Sequence, residues 1–232
     1  MKISLVVPVY NEEKVIDKCL KAIYSQTEPA DEVILVDNNC TDNSMKIAKK
    51  YPVRIVKEAK QGISYARNAG FNTAKYEIIG RLDCDTILRP NWVKTVKQTF
   101  LKHPEYLAIT GPVFFYDLII RHIASPIHSA IYYHLLKQVH GHYLMIGCNM
   151  ALRKSAWEKV KKKVIMNNHE VHEDLDLAIQ IAKFGEIGYI RQMDTDVSGR
   201  RIKKFPSNLE YLGRYFKMLT RLYLFKNYQK IY

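Results

Sequence analysis

The sequence predicts a single α/β domain in which a mostly parallel central sheet is flanked by helices. In the first half of the chain, short apolar runs of strand length alternate with segments whose apolar residues recur at helical spacing. Such alternation is typical of βαβ units, whose strands lie parallel in one sheet. The 232 residues, 47% of them hydrophobic, are enough for one sizeable domain with its own core.

The first half of the chain supplies most of the predicted sheet. The apolar runs predict strands over 3–9, 33–36, 53–56 and 76–82. We expect Asn11 to cap the first helix and to place Glu12 and Glu13 in its first turn. Further helices are predicted over 63–74 and from Pro90 onward.

The second half has a less regular pattern. Strands are predicted over 107–115 and 150–152, and a helix over 174–184 with Gly185 at its C-terminal cap. Residues 113–146 are rich in apolar and aromatic side chains. Polar residues interrupt them too often for a transmembrane span.

The C-terminal segment concentrates the positive charge of the chain. Of the net charge of +13, +8 falls within residues 200–232, which hold nine Lys and Arg against one acid, Glu210. Ser207 and Glu210 fit a capping box, and apolar and basic side chains follow on opposite helical faces. We therefore expect a domain over 1–204 and a basic amphipathic helix within an extension over 205–232. This helix either lies on an anionic membrane surface or packs its apolar face on the domain.

Cysteine usage and the N-terminus bear on the compartment. The four cysteines are Cys19, Cys40, Cys84 and Cys148. They form no C-x-x-C pair, which argues against a disulfide framework or a zinc knuckle and favours a reducing compartment. The chain opens without the apolar region of a signal peptide. We expect a cytoplasmic protein, attached peripherally at the inner face of the cell membrane.

Polar residues follow three of the predicted strands, at 10–12, 37–39 and 83–85. In parallel α/β sheets, ligands bind beyond the carboxyl ends of the strands. The chemistry of this protein is therefore expected at these three strand ends.

Six motifs, taken in order, resemble those of family-2 glycosyltransferases. They are P-V-Y-N-E (8–12), V-D-N-N-C-T-D (36–42), G-I-S-Y-A-R-N-A-G (62–70), L-D-C-D (82–85), I-G-C-N-M-A-L-R-K (146–154) and H-E-D-L-D-L (172–177). Each motif is weak by itself, but six in order with sensible spacing are specific. The resemblance covers roughly 3–201. It implies a GT-A fold and an inverting transfer of a sugar from a nucleotide-diphosphate donor to an acceptor hydroxyl. The Q-x-x-R-W signature of processive synthases is absent, which favours single addition.

The D-C-D motif is the expected metal site. Sugar transfer expels a nucleoside diphosphate, and a divalent metal neutralises the charge that builds on the leaving oxygen. Carboxylates suit Mn²⁺ or Mg²⁺. By resemblance, Asp85 is the direct metal ligand and Asp83 contacts the ribose or a metal-bound water. The alternative is a strand-end turn with two solvated aspartates.

The resemblance also implies the nucleotide contacts. Asp37 resembles the aspartate that reads the base, and Pro8, Tyr10 and Glu12 match the loop that lines the base and ribose. Arg67 resembles the basic residue that meets the nucleotide or its phosphates. The alternatives are a helix-capping turn for Asp37 and a surface salt bridge for Arg67.

The acceptor hydroxyl needs a general base. Glu173 and Asp174 match the E-D pair of the family, with Asp174 in the position of the base, and a base that stays ionised at neutral pH suits single displacement. The alternative is that both are carboxylates favoured by a helix N-terminus. His172 beside them has either an acceptor or metal role or the bland role of a polar loop residue.

Three further residues are assigned to the diphosphate or the acceptor. Arg200 and Arg201 resemble a basic segment that closes over the diphosphate, because guanidinium groups pair well with phosphate. The alternative is that they simply begin the basic tail. Asn149, in the motif at 146–154, is added as a contact to the diphosphate or acceptor.

The expected partners are a nucleotide-diphosphate sugar, a glycan or lipid-linked acceptor and an anionic membrane surface, with no nucleic acid. A dinucleotide-binding oxidoreductase would need G-x-G-x-x-G after the first strand, and a nucleotidyltransferase a Gly-rich basic loop; neither motif is present. The remaining alternative is a basic nucleic-acid-binding α/β protein without catalysis. That alternative gives no reason for the D-C-D and E-D motifs.

Overall fold

The computed structural model describes residues 1–167 and 171–201, together with Gly213, Tyr215, Lys217 and Thr220. The strands of this part of the chain are β1 Ile3–Val9, β2 Glu32–Asp37, β3 Arg54–Lys57, β4 Ile78–Arg81, β5 Thr86–Leu88, β6 Tyr106–Thr110, β7 Val113–Phe115, β8 Met150–Arg153, β9 Glu186–Tyr189 and β10 Thr195–Val197.

Helices alternate with the strands through most of the described chain. They are α1 Ile16–Tyr24, α2 Ser44–Ala48, α3 Ile63–Thr73, α4 Trp92–Lys102, α5 Arg121–Ser129, α6 Leu136–His140, α7 Lys154–Val160 and α8 Glu173–Ala182. A π-helical turn, Ala130–Leu135, joins α5 to α6, and a 3₁₀ turn, Gly199–Arg201, follows β10.

The larger of two sheets has seven strands in the order β3-β2-β1-β4-β8-β6-β9. Neighbouring strands are parallel, except that β8 runs antiparallel to both β4 and β6. The predicted α/β class with a mostly parallel central sheet is therefore confirmed. The chain winds outward from β1 to β3 and then returns to place β4 on the other side of β1, and ligands bind at such a reversal.

The core lies on both faces of the larger sheet, because side chains alternate along each strand. On β1, Val6 belongs to one buried cluster, whereas Leu5 and Val7 belong to the other. The cluster around Val6 includes buried residues of α3, α7 and α8, and the opposite cluster includes those of α1 and α4. Two layers of helices therefore enclose the sheet, as continuous apolar strands require.

The smaller sheet has the order β5-β10-β7, with β10 antiparallel to β5 and parallel to β7. The sequence predicted one strand over 107–115, but the chain divides it between the two sheets. Gly111 and Pro112 form the break. A Cβ on Gly111 would lie 1.9 Å from the carbonyl oxygen of Met193, and Pro112 has no N–H for a sheet ladder.

Two predicted helix caps are wrong. Asn11 does not cap α1, which begins five residues later; its backbone is left-handed, with φ of 51°, and its side-chain oxygen accepts the N–H of Thr41 at 2.8 Å. Gly185 does not cap α8, whose C-cap is Lys183. Among the described glycines, a positive φ occurs at Gly62 and Gly141 and not at Gly185. Instead it packs closely under Leu107, where a Cβ would clash at 2.8 Å.

The predicted C-terminal helix is described at four positions. Gly213, Tyr215, Lys217 and Thr220 are helical, and the hydroxyl of half-buried Tyr215 lies 3.1 Å from Nε2 of His140. The rest of the predicted amphipathic helix, including its capping box and the boundary at 204, lies outside the described residues. Across the described chain, no helix is both long enough and apolar enough to span a bilayer.

Candidate functional site

An open cavity of about 230 Å³ lies at the carboxyl ends of β1 and β4. Five of the residues predicted from the sequence line it: Pro8, Tyr10, Glu12, Asp83 and Arg200. They come from three distant parts of the chain: the larger sheet brings together the ends of β1 and β4, and Arg200 follows β10 of the smaller sheet. The structure thus joins the first predicted loop, the D-C-D motif and the basic segment after β10.

The loop after β1 is held by residues at the start of α2. The backbone N–H of Glu12 donates to Oγ of Ser44 at 2.8 Å, and that of Glu13 donates to a carboxylate oxygen of Asp42 at 3.0 Å. Asn11, whose backbone is left-handed, turns the chain directly before Glu12. The carboxylate of Glu12 is therefore fixed at the cavity wall rather than in the first turn of a helix.

The opposite wall contains residues that the sequence analysis did not assign. Asn38 lines the cavity with Gln61 and Ile63. Its amide donates to the carbonyls of Glu58 and Lys60 at 2.9 and 2.8 Å. Its oxygen accepts the N–H of Gly62 at 2.8 Å, which ties the loop before α3 to the end of β2. The signal was present, because Asn38 stands directly after the predicted strand end at Asp37.

Arg200 closes one side of the cavity. Its guanidinium donates to both carboxylate oxygens of Glu12, at 2.7 Å through Nη1, and its Nε lies 2.9 Å from Oδ2 of Asp85. The side chain is 43% exposed, so these are solvent-accessible ion pairs that another charged group can replace. Arg200 therefore occupies the position where the predicted metal-ligand carboxylate and the nucleotide loop meet.

Behind the cavity, two buried arginines share one carboxylate. Nη1 of Arg67 donates to Oε2 of Glu173 at 2.6 Å, and Nη1 of Arg81 donates to Oε1 of the same side chain. Nη2 of Arg81 also donates to Oδ1 of Asp83 at 3.0 Å. Arg81 thus connects the D-C-D motif at the end of β4 to the E-D pair at the start of α8.

This arrangement changes the interpretation of Arg67. Its side chain is fully buried, and its other donors bind the carbonyl of Glu173 and the side chain of Asn68. The expected alternative of a surface salt bridge is therefore wrong, since the salt bridge is internal. Arg67 does not line the cavity described above, whose wall it supports through Glu173.

The buried charges stabilise one another. Burial by itself raises the pKa of Glu173, but Arg81 and Arg67 outweigh burial and hold the pKa below its ordinary value. Burial likewise acts to lower the pKa of Arg81, whereas Glu173 and Asp83 raise it above the ordinary value. Both groups therefore stay charged, as the pairing of buried charges requires.

Asp174 lies beside this network, at the start of α8. One of its carboxylate oxygens accepts the N–H of Gly147 at 3.0 Å, and the other accepts the N–H of Leu175 at 2.9 Å. Burial and the neighbouring Glu173 carboxylate raise its pKa above the ordinary value, although Arg81 opposes the shift. A carboxylate with a raised pKa is a better proton acceptor than an exposed one.

Gly147 is a second residue that the sequence analysis did not assign. A Cβ at this position would lie 2.6 Å from Nη1 of Arg81. The close approach lets the backbone reach Asp174 while the Arg81 guanidinium fills the space beneath. Its signal was its place in the quoted motif at 146–154, where a glycine precedes the polar segment.

The remaining predicted site residues lie in different settings. Asp37 ends β2, and its carboxylate accepts the N–H of Cys40 at 2.9 Å. His172 is buried in the loop directly before α8, at the N-cap position. Arg201 ends the 3₁₀ turn, and its side chain lies outside the described residues.

Asn149 has a structural place instead of the predicted contact with diphosphate or acceptor. It is fully buried, and its amide donates to the carbonyls of Pro112 and Met193 at 3.0 and 2.7 Å. Its oxygen accepts the indole N–H of Trp92 at 2.8 Å. With these bonds made inside the protein, the side chain joins α4 to the loops of the smaller sheet.

The carboxylates at the cavity fit a hard divalent cation by their chemistry. Asp83 lines the cavity, and Asp85 reaches the same region through its ion pair with Arg200. Within the described chain, no three His, Cys, Asp or Glu side chains converge as a metal-binding group. Mg²⁺-type sites often use one or two carboxylates and take the remaining ligands from phosphates and water.

Comparison with known proteins finds a named glycosyltransferase among the relatives of this chain. The chain is 26% identical over 210 residues to "Glycosyltransferase GlyA" of Streptococcus pneumoniae. The aligned region covers 82% of this chain and 27% of that protein. The chain thus spans about a quarter of the length of this relative.

Two solved structures share the fold. One is a mannosyltransferase, PcManGT, from Pyrobaculum calidifontis in complex with GDP-Man and Mn²⁺, with a TM-score of 0.67 and 21% identity over 85% of this chain and 56% of that one. The other is S. aureus TarS 1–349 in complex with UDP-GlcNAc, with a TM-score of 0.67 and 18% identity over 85% of this chain and 58% of that one. The expected GT-A fold is confirmed.

The family follows from the sequence. The model of the family described as "Glycosyl transferase family 2" matches residues 4–161, which is more than half of the chain and includes the loop after β1 and the D-C-D motif. The family membership expected from the six motifs is thereby confirmed. The chain belongs to glycosyl transferase family 2.

Proposed function

We propose that this chain transfers a sugar from a nucleotide-diphosphate sugar to an acceptor hydroxyl, with inversion at the anomeric carbon. The observation that carries the proposal is the link through Arg81, which binds Asp83 at the cavity and Glu173 beside Asp174. Donor-binding and base residues are thus joined by one buried side chain. The neighbouring structures with GDP-Man and UDP-GlcNAc support a nucleotide sugar as the donor.

In this proposal, the nucleotide occupies the cavity between the loop after β1 and the start of α3. Pro8 and Tyr10 line the base and ribose on one side, and Asn38 fixes the loop on the other. Asp37, at the end of β2, reads the base. The diphosphate meets Arg200, whose planar fork matches phosphate oxygens.

A divalent cation, Mn²⁺ or Mg²⁺, is proposed at Asp85 and Asp83, where it would neutralise the charge of the leaving diphosphate. The PcManGT complex contains Mn²⁺, which supports this choice. The Nε of Arg200 lies 2.9 Å from Oδ2 of Asp85, and the same guanidinium binds Glu12. Arg200 therefore balances carboxylate charge at the proposed metal position.

Asp174 acts as the general base in the proposed reaction. It accepts the proton of the acceptor hydroxyl while the oxygen attacks the anomeric carbon on the face opposite the diphosphate. Gly147 holds one of its oxygens, and the raised pKa favours proton transfer at neutral pH. Glu173 is a positioning residue, because both of its oxygens are bound by buried arginines.

The acceptor is proposed to be a glycan or a lipid-linked precursor, and the chain to work peripherally at the inner face of the cell membrane. The basic amphipathic segment over 205–232 supports this location by its composition, with cations that suit anionic lipid. His172 and Arg201 are kept as candidate contacts to the acceptor or diphosphate.

Calorimetry with UDP, GDP, CDP and their sugar conjugates, each with and without Mn²⁺, tests the proposed donor site. We expect one nucleotide to bind, with affinity that falls when the metal is removed or when Asp85→Asn is used. Asp196→Asn is the control and should leave binding unchanged, because Asp196 is a half-buried carboxylate of the smaller sheet that lies outside the cavity lining. If no nucleotide binds and oligonucleotides bind tightly with an affinity that falls as salt rises, the result would instead favour the nucleic-acid alternative.

A further inference from the structure

Seven aliphatic side chains form an exposed row along the helical segment that follows β7. Each is at least 50% exposed. They are Ile119, Ile120, Ile123, Ile127, Ile131, Leu135 and Val139. We name this row the aliphatic stripe. Single exposed apolar residues are ordinary on a protein surface, but a contiguous row of this kind marks an interaction surface.

The helical geometry keeps the stripe straight. From Ile123 to Val139, its residues are spaced four apart, and in an α-helix each such step turns about 40° beyond a full turn. Four steps would carry the row to the other side of the helix. The π-helical turn Ala130–Leu135 has more residues in each turn, because its hydrogen bonds reach one residue further. A step of four then falls short of a full turn and returns the row to its face.

The opposite side of this segment is fixed to the domain by hydrogen bonds. The hydroxyl of Ser125 accepts the N–H of Phe115 at 3.1 Å. The hydroxyls of Tyr132 and Tyr133 donate to the carbonyls of Met145 and Gly111, at 2.7 and 2.6 Å. These anchors hold the helical segment in one rotation, so the aliphatic stripe faces outward as a consequence of the fold.

The charged residues within the stretch of sequence that carries the stripe have one sign. No Asp or Glu occurs between Asp117 and Glu158, a stretch that spans the whole helical segment. Arg121 and Lys137 are exposed near its two ends. An aliphatic row with flanking cations and no carboxylate matches the interface of an anionic bilayer, where acyl chains lie beneath phosphate groups.

We infer that the aliphatic stripe is a lipid-contacting surface that lies in the interface of an anionic membrane. The inference deepens the membrane attachment proposed above and rests on it, but it assigns the contact to the folded domain rather than to the C-terminal segment. The aliphatic side chains enter the acyl region, while Arg121 and Lys137 meet lipid phosphates. The domain is thereby held in one orientation, with the segment α5–α6 toward the membrane.

Tryptophan fluorescence of the full chain tests the contact directly. Trp92 and Trp157 are buried, so an exposed indole introduced by Ile127→Trp gives a separate signal. With phosphatidylcholine–phosphatidylglycerol vesicles, we expect its emission to shift to the blue and to be quenched by brominated acyl chains. Leu101→Trp, at an exposed position on α4, is the matched control and should show neither effect.

A second measurement uses flotation with the same vesicles. The variant Ile123→Ser/Ile127→Ser/Ile131→Ser should lower partitioning at least about tenfold, whereas Leu101→Ser should not. Equal partitioning of the triple variant and the original chain, or no quenching at position 127, overturns the inference. A change from dimer to monomer in the triple variant without lipid also overturns it, because the stripe is then a contact between two copies.

Donor calorimetry on the same variants separates the two proposals. The stripe variants should bind the nucleotide as the original chain does, because no stripe residue lines the cavity described above. Loss of lipid contact with intact donor binding concerns the stripe alone. If the original chain contacts lipid but binds no nucleotide, the result counts against the proposed transferase function alone.

Discussion

At the residue scale, the roles proposed for Asp174 and Arg200 can be tested separately. Asp174 belongs to the start of α8 beside the buried arginines, and Arg200 belongs to the exposed turn after β10. Asp174 accepts the backbone N–H groups of Gly147 and Leu175, whereas Arg200 binds the carboxylates of Glu12 and Asp85. Substitutions of the two residues are therefore expected to affect different kinetic steps.

Asp174→Asn should lower kcat by about 10²–10⁴-fold and leave donor affinity nearly unchanged, because it removes the proposed proton acceptor while keeping the side-chain shape. In the original chain, the carboxylate is active when ionised, and burial with Glu173 raises its pKa. Activity is therefore lost as pH falls through a value above the ordinary 3.8 for an aspartate. A pH profile of kcat/KM checks this; near-normal turnover by Asp174→Asn would remove it as the base.

Arg200→Ala should weaken donor binding by about tenfold or more, because a guanidinium bound to phosphate contributes more than an exposed ion pair. Arg89→Ala is a matched control. Arg89 is 45% exposed, compared with 43% for Arg200, and likewise pairs with two carboxylates, Asp194 and Asp196, but lies outside the cavity lining. Calorimetry with the preferred nucleotide compares the two variants. Equal affinities for both would contradict the diphosphate contact.

At the element scale, α8 is attached to the sheet through charge as well as apolar packing. Glu173, its first residue, binds Arg67 from α3 and Arg81 from β4. The position of Asp174 therefore depends on two elements that lie far away in sequence. A fault in this ion cluster should change the stability of the domain and the alignment of the base together.

Arg67→Ala should lower the free energy of unfolding by about 3–5 kcal/mol, since it leaves a buried carboxylate with one partner fewer. Arg54→Ala is the control, because the Arg54 side chain is 47% exposed and its half-buried partner Glu32 keeps the hydrogen bonds from Ser4 and Lys75. The control should lose at most about 1 kcal/mol. Urea denaturation of both variants provides the comparison, and similar losses would show that the buried cluster adds no stability beyond a surface pair.

The elements that the sequence predicts well are those whose signal is local. The apolar run of β1 and the periodicity of α3 give their positions within a residue, because each pattern resides in one segment. Asn11 was assigned wrongly because its partner, Thr41, is 30 residues away. A cap and a long-range turn contact use the same side-chain chemistry, so the local sequence does not distinguish them.

The candidate site shows the same division. Pro8, Glu12 and Asp83 could be placed at one edge of the sheet, because parallel strands bring their carboxyl ends together. The pairing of Arg67 with Glu173 could not, since 106 residues separate them and either charge could have met solvent. Motif order predicts which residues gather at a site, and the fold decides which of them face the cavity.

At the scale of the whole molecule, the two sheets divide the work. The larger sheet supplies the cavity floor and the D-C-D motif, and the smaller one carries Arg200 over the cavity from β10. The helical segment with the aliphatic stripe follows β7, so the smaller sheet also connects the proposed lipid surface to the donor side.

The ion pair between Arg200 and Glu12 joins positions 188 residues apart. During translation, Glu12 and Asp85 leave the ribosome well ahead of Arg200, which pairs with both of them in the folded protein. A nascent chain of moderate length therefore carries these two carboxylates without that arginine. The cavity acquires the guanidinium of Arg200 only when β10 has joined the smaller sheet, so the proposed binding of a nucleotide there requires that the chain has been made as far as residue 200.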